Sequence, residues 1–325
     1  MKRKQKSPIL AELRKAAMDE ALAAEFLERH RWRADPACPR CGSTEVYRMQ
    51  AKDGGREKNF RWRCRECARE GQKAMYSVRT GTVFEESRLP LRIWVYAFWR
   101  ACASKKGISA LQLSRECEIT HKSALFVLRR IRYGIQAQEP RRKLTGTIEV
   151  DETYVGGKPR YKGAGRRGRG TKKTAVVGMA ERGGEVRFQM MERLTAADLE
   201  HVVTSNADLT ARLMTDELGV YIPIGRKFAG GHERVKHSLK EYARKGTDVS
   251  TNAIEGVFSL LKRGVMGTFH SVSKKHLPNY LNEFEFRFNT RDIDDGDRVV
   301  EAIRRVDGRR LEYRESVDAP PYAVA

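Results

Sequence analysis

The chain has 325 residues, with 64 Lys and Arg against 42 Asp and Glu, a formal net charge of +22 and a pI near 9.9. So large a positive excess makes a nucleic acid the expected partner, because basic side chains displace the counterions condensed on a phosphate polymer. No stretch approaches the ~18 apolar residues of a membrane span, and Lys2, Arg3, Lys4 and Lys6 lead into a charged amphipathic segment rather than a signal peptide's apolar core. The expectation is a cytoplasmic, nucleoid-associated protein without membrane contact. In a reducing compartment its six cysteines serve as metal ligands or free thiols rather than disulfides.

Residues 1–34 form an N-terminal helical segment. Ile9, Leu10, Leu13, Ala16, Ala17, Leu22, Phe26 and Leu27 approximate a 3.6-residue period over 8–30, with Ser7-Pro8 as a start signal. Residues 35–88 carry two Cys-x-x-Cys pairs, Cys38/Cys41 and Cys64/Cys67. Four thiolates at this spacing describe a closed, tetrahedral and therefore structural Zn²⁺ site. Val46–Met49 and Phe60–Arg63 read as hairpin strands joined through Asp53-Gly54-Gly55, which makes a zinc ribbon. Arginines interleaved with Tyr47, Phe60 and Trp62 suit DNA contact, and a protein-docking ribbon fits the same pattern.

Residues 89–140 read as helices over Leu91–Ala103, Ile108–Cys117 and Ser123–Tyr133. A short helix, a tight turn at 118–121 and a second helix give the layout of a helix-turn-helix, although an ordinary bundle shares it. On that reading Lys122 lies at the start of the second helix and Arg129 and Arg130 lie near its end, as candidate DNA contacts.

Ile148 to Val155 alternate apolar β-formers with Glu149 and Asp151 and run into Gly156-Gly157, the pattern of a short strand ending in a turn. Asp151 would sit near its end, opposite to the face of Ile148 and Val150. A carboxylate there fits an edge strand or, on a central strand, a partner or metal. Residues 156–173 hold eight basic residues, six glycines and no acid, which predicts a mobile loop. Arg166 and Arg167 in it are candidate clamps on a phosphate backbone. Strands over 174–180 and 186–191, a helix over 196–206 and a strand ending in Asp216 follow. That order is the front half of a ribonuclease-H-like α/β fold with a mixed sheet. Residues 250–263 read as a helix opened by a Ser/Thr/Asn cap, with Asn252, Glu255, Ser259 and Lys262 on one polar face. A last helix over 274–289 closes this domain, 141–291; 292–325 reads as a C-terminal tail that starts with an acidic turn over 292–297 and frays over its last twenty or so residues.

Asp151, Asp216 and Glu255 are candidates for one carboxylate cluster. Such a cluster can hold two Mg²⁺ ions about 3.5–4 Å apart, which clamp the attacking and leaving oxygens of a phosphoryl transfer. At this point the chain resembles the zinc-ribbon DDE transposases of bacterial insertion sequences, of the ISXO2-like type with an Asp-Asp-Glu/Asn-Lys signature. The resemblance is carried by Val-Asp-Glu-Thr-Tyr-Val-Gly-Gly-Lys (150–158), Thr-Asp-Glu-Leu (215–218), His-Ser-Leu-Lys-Glu-Tyr (237–242) and Thr-Asn-Ala-Ile-Glu-Gly-Val-Phe-Ser-Leu-Leu-Lys-Arg-Gly (251–264). It continues in Gly-Thr-Phe-His-Ser-Val-Ser-Lys-Lys-His-Leu (267–277) and Tyr-Leu-Asn-Glu-Phe-Glu-Phe-Arg-Phe-Asn (280–289). It implies that Asp151, Asp216 and Glu255 ligate Mg²⁺ or Mn²⁺, and that Lys262, with Arg263 beside it, holds a DNA phosphate. His237 becomes a possible neighbour of the site. The resemblance further implies recognition of terminal inverted repeats, end cleavage, strand transfer into target DNA, and a homodimer or higher synaptic complex. Two other functions share these features: a DNA-binding regulator on an inactive nuclease scaffold, and a ribonuclease-H-like nuclease that does not join strands.

Overall fold

In the computed structural model of the chain, which describes residues 7–33, 35–137, 140–156, 173–236, 243–244 and 246–311, Asp19 divides the N-terminal amphipathic stretch in two. α1 (Pro8–Ala16) begins with a proline, tolerated where no N–H partner is needed. α2 (Glu20–Trp32) is opened by Asp19, whose carboxylate accepts from Leu22 N at 2.8 Å. The single helix expected over 8–30 is therefore two, because an aspartate competes with the helix backbone from inside and satisfies it from the cap.

The ribbon follows. β1 (Val46–Arg48) and β2 (Trp62–Cys64) pair antiparallel, with Val46 opposite Cys64. β3 (Met75–Tyr76) adds to the other edge of β2, so the segment after the second cysteine pair continues the ribbon. α3 (Arg65–Arg69) starts on that pair. Trp62, one of the aromatics that alternate with the ribbon's arginines, is buried: it meets Trp32 edge to face at 5.5 Å and its indole N–H donates to Glu28 Oε1 at 2.8 Å. That contact seats the ribbon on α2.

α4 (Leu91–Ala103), α5 (Ala110–Cys117) and α6 (His121–Gly134) come next. Glu118, at φ 54° in the left-handed region, ends α5, and the Thr120 hydroxyl accepts from Ser123 N at 3.1 Å to open α6. Helix, short turn and helix stand in the order that the sequence suggests.

The chain divides into two units, Met1–Gln136 with Arg291–Ala325, and Ala137–Thr290. In the second, β4 (Thr147–Val155), β5 (Thr174–Glu181) and β6 (Val186–Met191) form an antiparallel meander. α7 (Ala196–Asn206) carries the chain across to β7 (Arg212–Thr215), which lies parallel to β4. α8 (Tyr221–Gly225) and β8 (His232–Arg234) follow, and β8 is parallel to β7. The sheet order is β6-β5-β4-β7-β8, the mixed sheet expected of a ribonuclease-H-like domain. α9 (Asn252–Gly264) and α10 (Leu277–Asn289) are joined through a π-helical turn, Val265–Phe269, and a 3₁₀ turn, Lys274–His276.

The period of two along β4 decides which helix meets which face. Ile148 and Val150 join Val177, Met179, Leu199, Val203, Leu213 and Tyr221 in the core under α7 and α8. Val155 joins Val176, Phe188, Ile254, Phe258, Leu261 and Phe284 under α9 and α10. Glu149 and Asp151 share that second face. The outer edge of β6 is met by α10: Asn289 accepts from Val186 N at 2.8 Å and donates to Val186 O at 3.0 Å, and Glu285 accepts from Phe188 N at 3.2 Å.

The chain then returns to the first unit as α11 (Asp295–Arg305), capped by Asp294 and packed on α4 and α2. Val299, Val300, Ala302 and Ile303 are buried. The segment 292–325 read as a tail therefore begins with a core helix, whose Val299, Val300, Ala302 and Ile303 keep the i, i+1, i+3, i+4 spacing of an apolar face. Residues 312–325 lie outside the described residues.

Candidate functional site

The register of β4 and β7 puts Thr147 beside Arg212 and Val150 beside Thr215. Asp151 and Asp216 are thus the next residues along two adjacent parallel strands. Asp151 is midway along β4 rather than near its end, but it stands where the pairing with β7 stops. Past that point the sheet opens between its parallel strands, the crevice where open α/β sheets present ligand-binding groups.

Asp151 Oδ1 accepts from Glu152 N at 2.7 Å, and Asp216 Oδ1 accepts from Leu218 N at 3.0 Å. Glu255 projects from the first turn of α9 and accepts from the buried Thr251 hydroxyl at 3.1 Å. Burial, reinforced by the negative charges of Glu152, Asp216 and Glu255, pushes the Asp151 carboxyl up to about 7. Among the described residues, the acids do not form a group with oxygens all within 4.8 Å of one another. Oxygens that serve two ions about 3.5–4 Å apart need not converge on one point. Hard carboxylate oxygens are the donors that Mg²⁺ and Mn²⁺ take, so the residues fit such ions.

Glu152 points to the opposite face of β4, as the strand period requires, and accepts from Tyr221 Oη at 2.8 Å. Glu217 is exposed, and so are Lys262 and Arg263. Lys262 lies two turns beyond Glu255 on the same side of α9. His237, Arg166, Arg167 and most of the basic loop lie outside the described residues.

Sequence reasoning missed Glu149. It is 1% exposed and accepts from Ala253 N at 2.8 Å and Ile254 N at 3.1 Å. The cap of α9 is therefore this remote carboxylate and not the expected Ser/Thr/Asn side chain. The reason is local: Thr251 sits at φ −116°, ψ 19°, outside the extended geometry of a capping residue, and turns its hydroxyl toward Glu255. A carboxylate two residues before Asp151, on the same strand face, was the signal present in the sequence.

In the first unit the four cysteines converge. Sγ separations are 3.7 Å for Cys38–Cys67, 3.6 Å for Cys41–Cys64 and 3.5 Å for Cys41–Cys67. Tetrahedral zinc with Zn–S bonds of about 2.3 Å sets sulfurs about 3.8 Å apart, so the cluster fits a structural zinc ion. Of the helix-turn-helix candidates, Lys122 is exposed and Arg129 half-buried. Arg130 is only 5% exposed and donates to Val83 O at 2.6 Å while lying over the Phe126 ring. It is a packing residue of α6, not a surface contact; position along a helix does not tell which face an arginine occupies.

Two families match the chain. The transposase zinc-ribbon domain matches residues 18–70, and the ISXO2-like transposase domain matches residues 143–289. A relative from Halobacterium salinarum (strain ATCC 700922 / JCM 11081 / NRC-1), described as an uncharacterized protein in transposable element ISH50, is 30% identical over 287 residues, covering 84% of this chain and 92% of the relative. Among solved structures, the Mos1 strand transfer complex is 13% identical, with a TM-score of 0.29, over 67% of this chain and 75% of that one. The Mos1 transposase paired-end complex with left transposon end is also 13% identical, with a TM-score of 0.28 over 63% and 75%. Likenesses that distant carry no argument about mechanism. The ribbon with its zinc ligands, the mixed sheet and the extended match to the halobacterial relative agree, and the chain belongs to the ISXO2-like, zinc-ribbon transposases of insertion sequences.

Proposed function

We propose that the protein cleaves the ends of its insertion sequence and transfers the freed strands into target DNA, with Asp151, Asp216 and Glu255 as ligands of two Mg²⁺ or Mn²⁺ ions. The observation that supports this most directly is the placement of Asp151 and Asp216 on adjacent parallel strands, with Glu255 close enough to act on Asp151 electrostatically. The ions, when bound, would polarise the phosphate and activate first water and then the 3′-hydroxyl for in-line displacement.

The chain's own groups do the remaining work. Asp151 takes its place at the mouth of the sheet with one carboxylate oxygen fixed by Glu152 N. Thr251 orients Glu255 through its hydroxyl. Lys262, exposed on the side of α9 that carries Glu255, binds a backbone phosphate and holds the strand for attack. The zinc ribbon and the α5–α6 pair, with Lys122 and Arg129, read the terminal inverted repeats of double-stranded DNA. Arg263, Arg166 and Arg167 add phosphate contacts that position the duplex without reading its sequence. Joining two ends calls for a homodimer or larger synaptic complex. The protein works at the nucleoid in the cytoplasm.

The test is a strand-transfer assay with a labelled terminal-repeat duplex and a supercoiled target, with or without added Mg²⁺, run beside Glu255→Gln. The reading predicts metal-dependent joined product that the variant does not form. Nicking without joining would assign a nuclease, and binding without metal-dependent chemistry would assign a regulator.

A further inference from the structure

The first turn of α9 is held by a charge network that no local residue supplies. Glu149 Oε2 accepts the N–H groups of Ala253 and Ile254, the two residues before Glu255. Its other oxygen, Oε1, accepts from Arg182 Nε at 2.7 Å. Arg182 lies in the turn after β5 and donates onward to Asp248 O at 2.6 Å, Ser250 O at 3.0 Å and Ser250 Oγ at 2.8 Å. The segment entering α9 is thus tied both to β4 and to the β5 turn. A buried carboxylate is costly unless it is paired. Here a guanidinium and the positive end of a helix compensate it.

A serine or asparagine at the N-cap would close the same helix without a buried charge. What the network adds is a fixed relation between residues 104 positions apart in the chain, Glu149 and Ala253. Glu149 stands two residues before Asp151 on one face of β4, and the amides it binds stand immediately before Glu255 on α9. We infer that Glu149, supported by Arg182, is a positioning residue of the catalytic site: it sets the start of α9, and with it the distance of the Glu255 carboxylate from Asp151. This rests on the catalytic reading above for its consequence in the reaction, but not for its geometry.

The experiment compares the full-length parent with Glu149→Gln, Arg182→Met and Glu255→Gln. In Glu149→Gln the side chain keeps its shape but offers only one acceptor oxygen, so either the α9 amides or Arg182 lose their partner. Four quantities are read: the thermal melt, hydrogen exchange of residues 250–256 in metal-free protein, Mn²⁺ affinity by electron paramagnetic resonance, and end cleavage. Duplex binding without added divalent metal serves as a control. Glu149→Gln is expected to melt cooperatively and to bind duplex like the parent. Its α9 amides exchange faster, and its Mn²⁺ affinity and cleavage fall about 10–100-fold, the usual effect of removing an outer-shell support. Should Glu149→Gln fail to fold, Arg182→Met reads the same network from its more exposed side. Unchanged exchange at 252–256, or unchanged Mn²⁺ affinity, overturns the inference. A parent that binds Mn²⁺ but cleaves nothing overturns the catalytic reading alone, since a weakened Mn²⁺ site in Glu149→Gln still upholds the positioning role.

Discussion

Asp151 and Gly178 lie directly opposite each other across the β4–β5 ladder. A methyl group at 178 would meet Ile254 Cδ1 and the Phe258 ring at 2.7 Å. The bare backbone facing the first acid is what lets α9 lie flat on the sheet. Gly178→Ala should therefore lower stability by about 1–3 kcal/mol, the usual cost of overpacking a filled core, and should reduce end cleavage by displacing Glu255. A melt and a cleavage assay on the same preparation decide it. Parent-like cleavage would show that α9 yields without disturbing the site.

Asp151→Asn and Asp216→Asn should each abolish metal-dependent cleavage, on the order of 10³-fold, because each removes a ligand charge from a site that supplies several kcal/mol of electrostatic stabilisation. Duplex binding measured without added divalent metal should not weaken. A variant that still cleaves at more than about a tenth of the parental rate, one unit of 1.36 kcal/mol in the barrier, removes that residue from the proposed ligand set.

Zinc removal should act on the first unit alone. Structural zinc in comparable small sites contributes about 10–16 kcal/mol of apparent binding energy at pH 7. Cys64→Ser replaces a fully buried thiol of the cluster. The variant should purify with less than one zinc per chain and lose terminal-repeat recognition, while the sheet of the second unit keeps its own melting transition. Metal analysis with an anisotropy titration measures both, and full zinc retention would place the ion elsewhere.

Asn289 satisfies both backbone groups of Val186 on the outermost strand of the sheet. Asn289→Ala leaves a donor and an acceptor there without a side-chain partner, at a cost of about 1–3 kcal/mol. An exposed strand edge is also a template for pairing with another chain. The variant should show a lower denaturation midpoint and concentration-dependent association by light scattering. An unchanged midpoint would mean that water replaces the amide at no cost.

Burial lowers the proton affinity of His30, whose ring lies edge-on to Phe26 at 4.4 Å. A depressed value in the folded state means that the unfolded chain binds the proton more readily. Stability is then complete above the unfolded value of about 6.5 and is lost as pH falls through the lower folded value. The melting temperature of the first unit should drop on going from neutral to mildly acidic pH, less steeply in His30→Gln. Identical slopes in parent and variant would assign the acid sensitivity to other groups.

The parts of this molecule with a short-range chemical signature were legible in the sequence. The cysteine pairs announced the zinc site from spacing alone. The alternation through 148–155 gave both the strand and the face of Asp151. The relations that fix the site were not legible, because they are long-range. Nothing near Thr251 says that its helix is capped by Glu149. Arg130 differs from Arg129 only in the direction its side chain faces, which the packing of α6 decides. α8 and β8 are too short for any periodicity to register. The α11 face was legible locally, since Val299, Val300, Ala302 and Ile303 recur at helical spacing, but the charged composition around them suggested a tail.

That last helix bears on how the protein is made. The first unit consists of the first 136 residues and of a segment that begins at Arg291. Translation at about 5–20 residues per second inserts roughly 10–30 s between them. Throughout that interval α4 has left the ribosome without α11, the helix that packs on it in the finished chain. The unit that holds the zinc ribbon completes its core only after the unit that carries the three acids has been synthesised. A chain terminated early in transit therefore presents an open apolar face on α4 rather than a finished first unit.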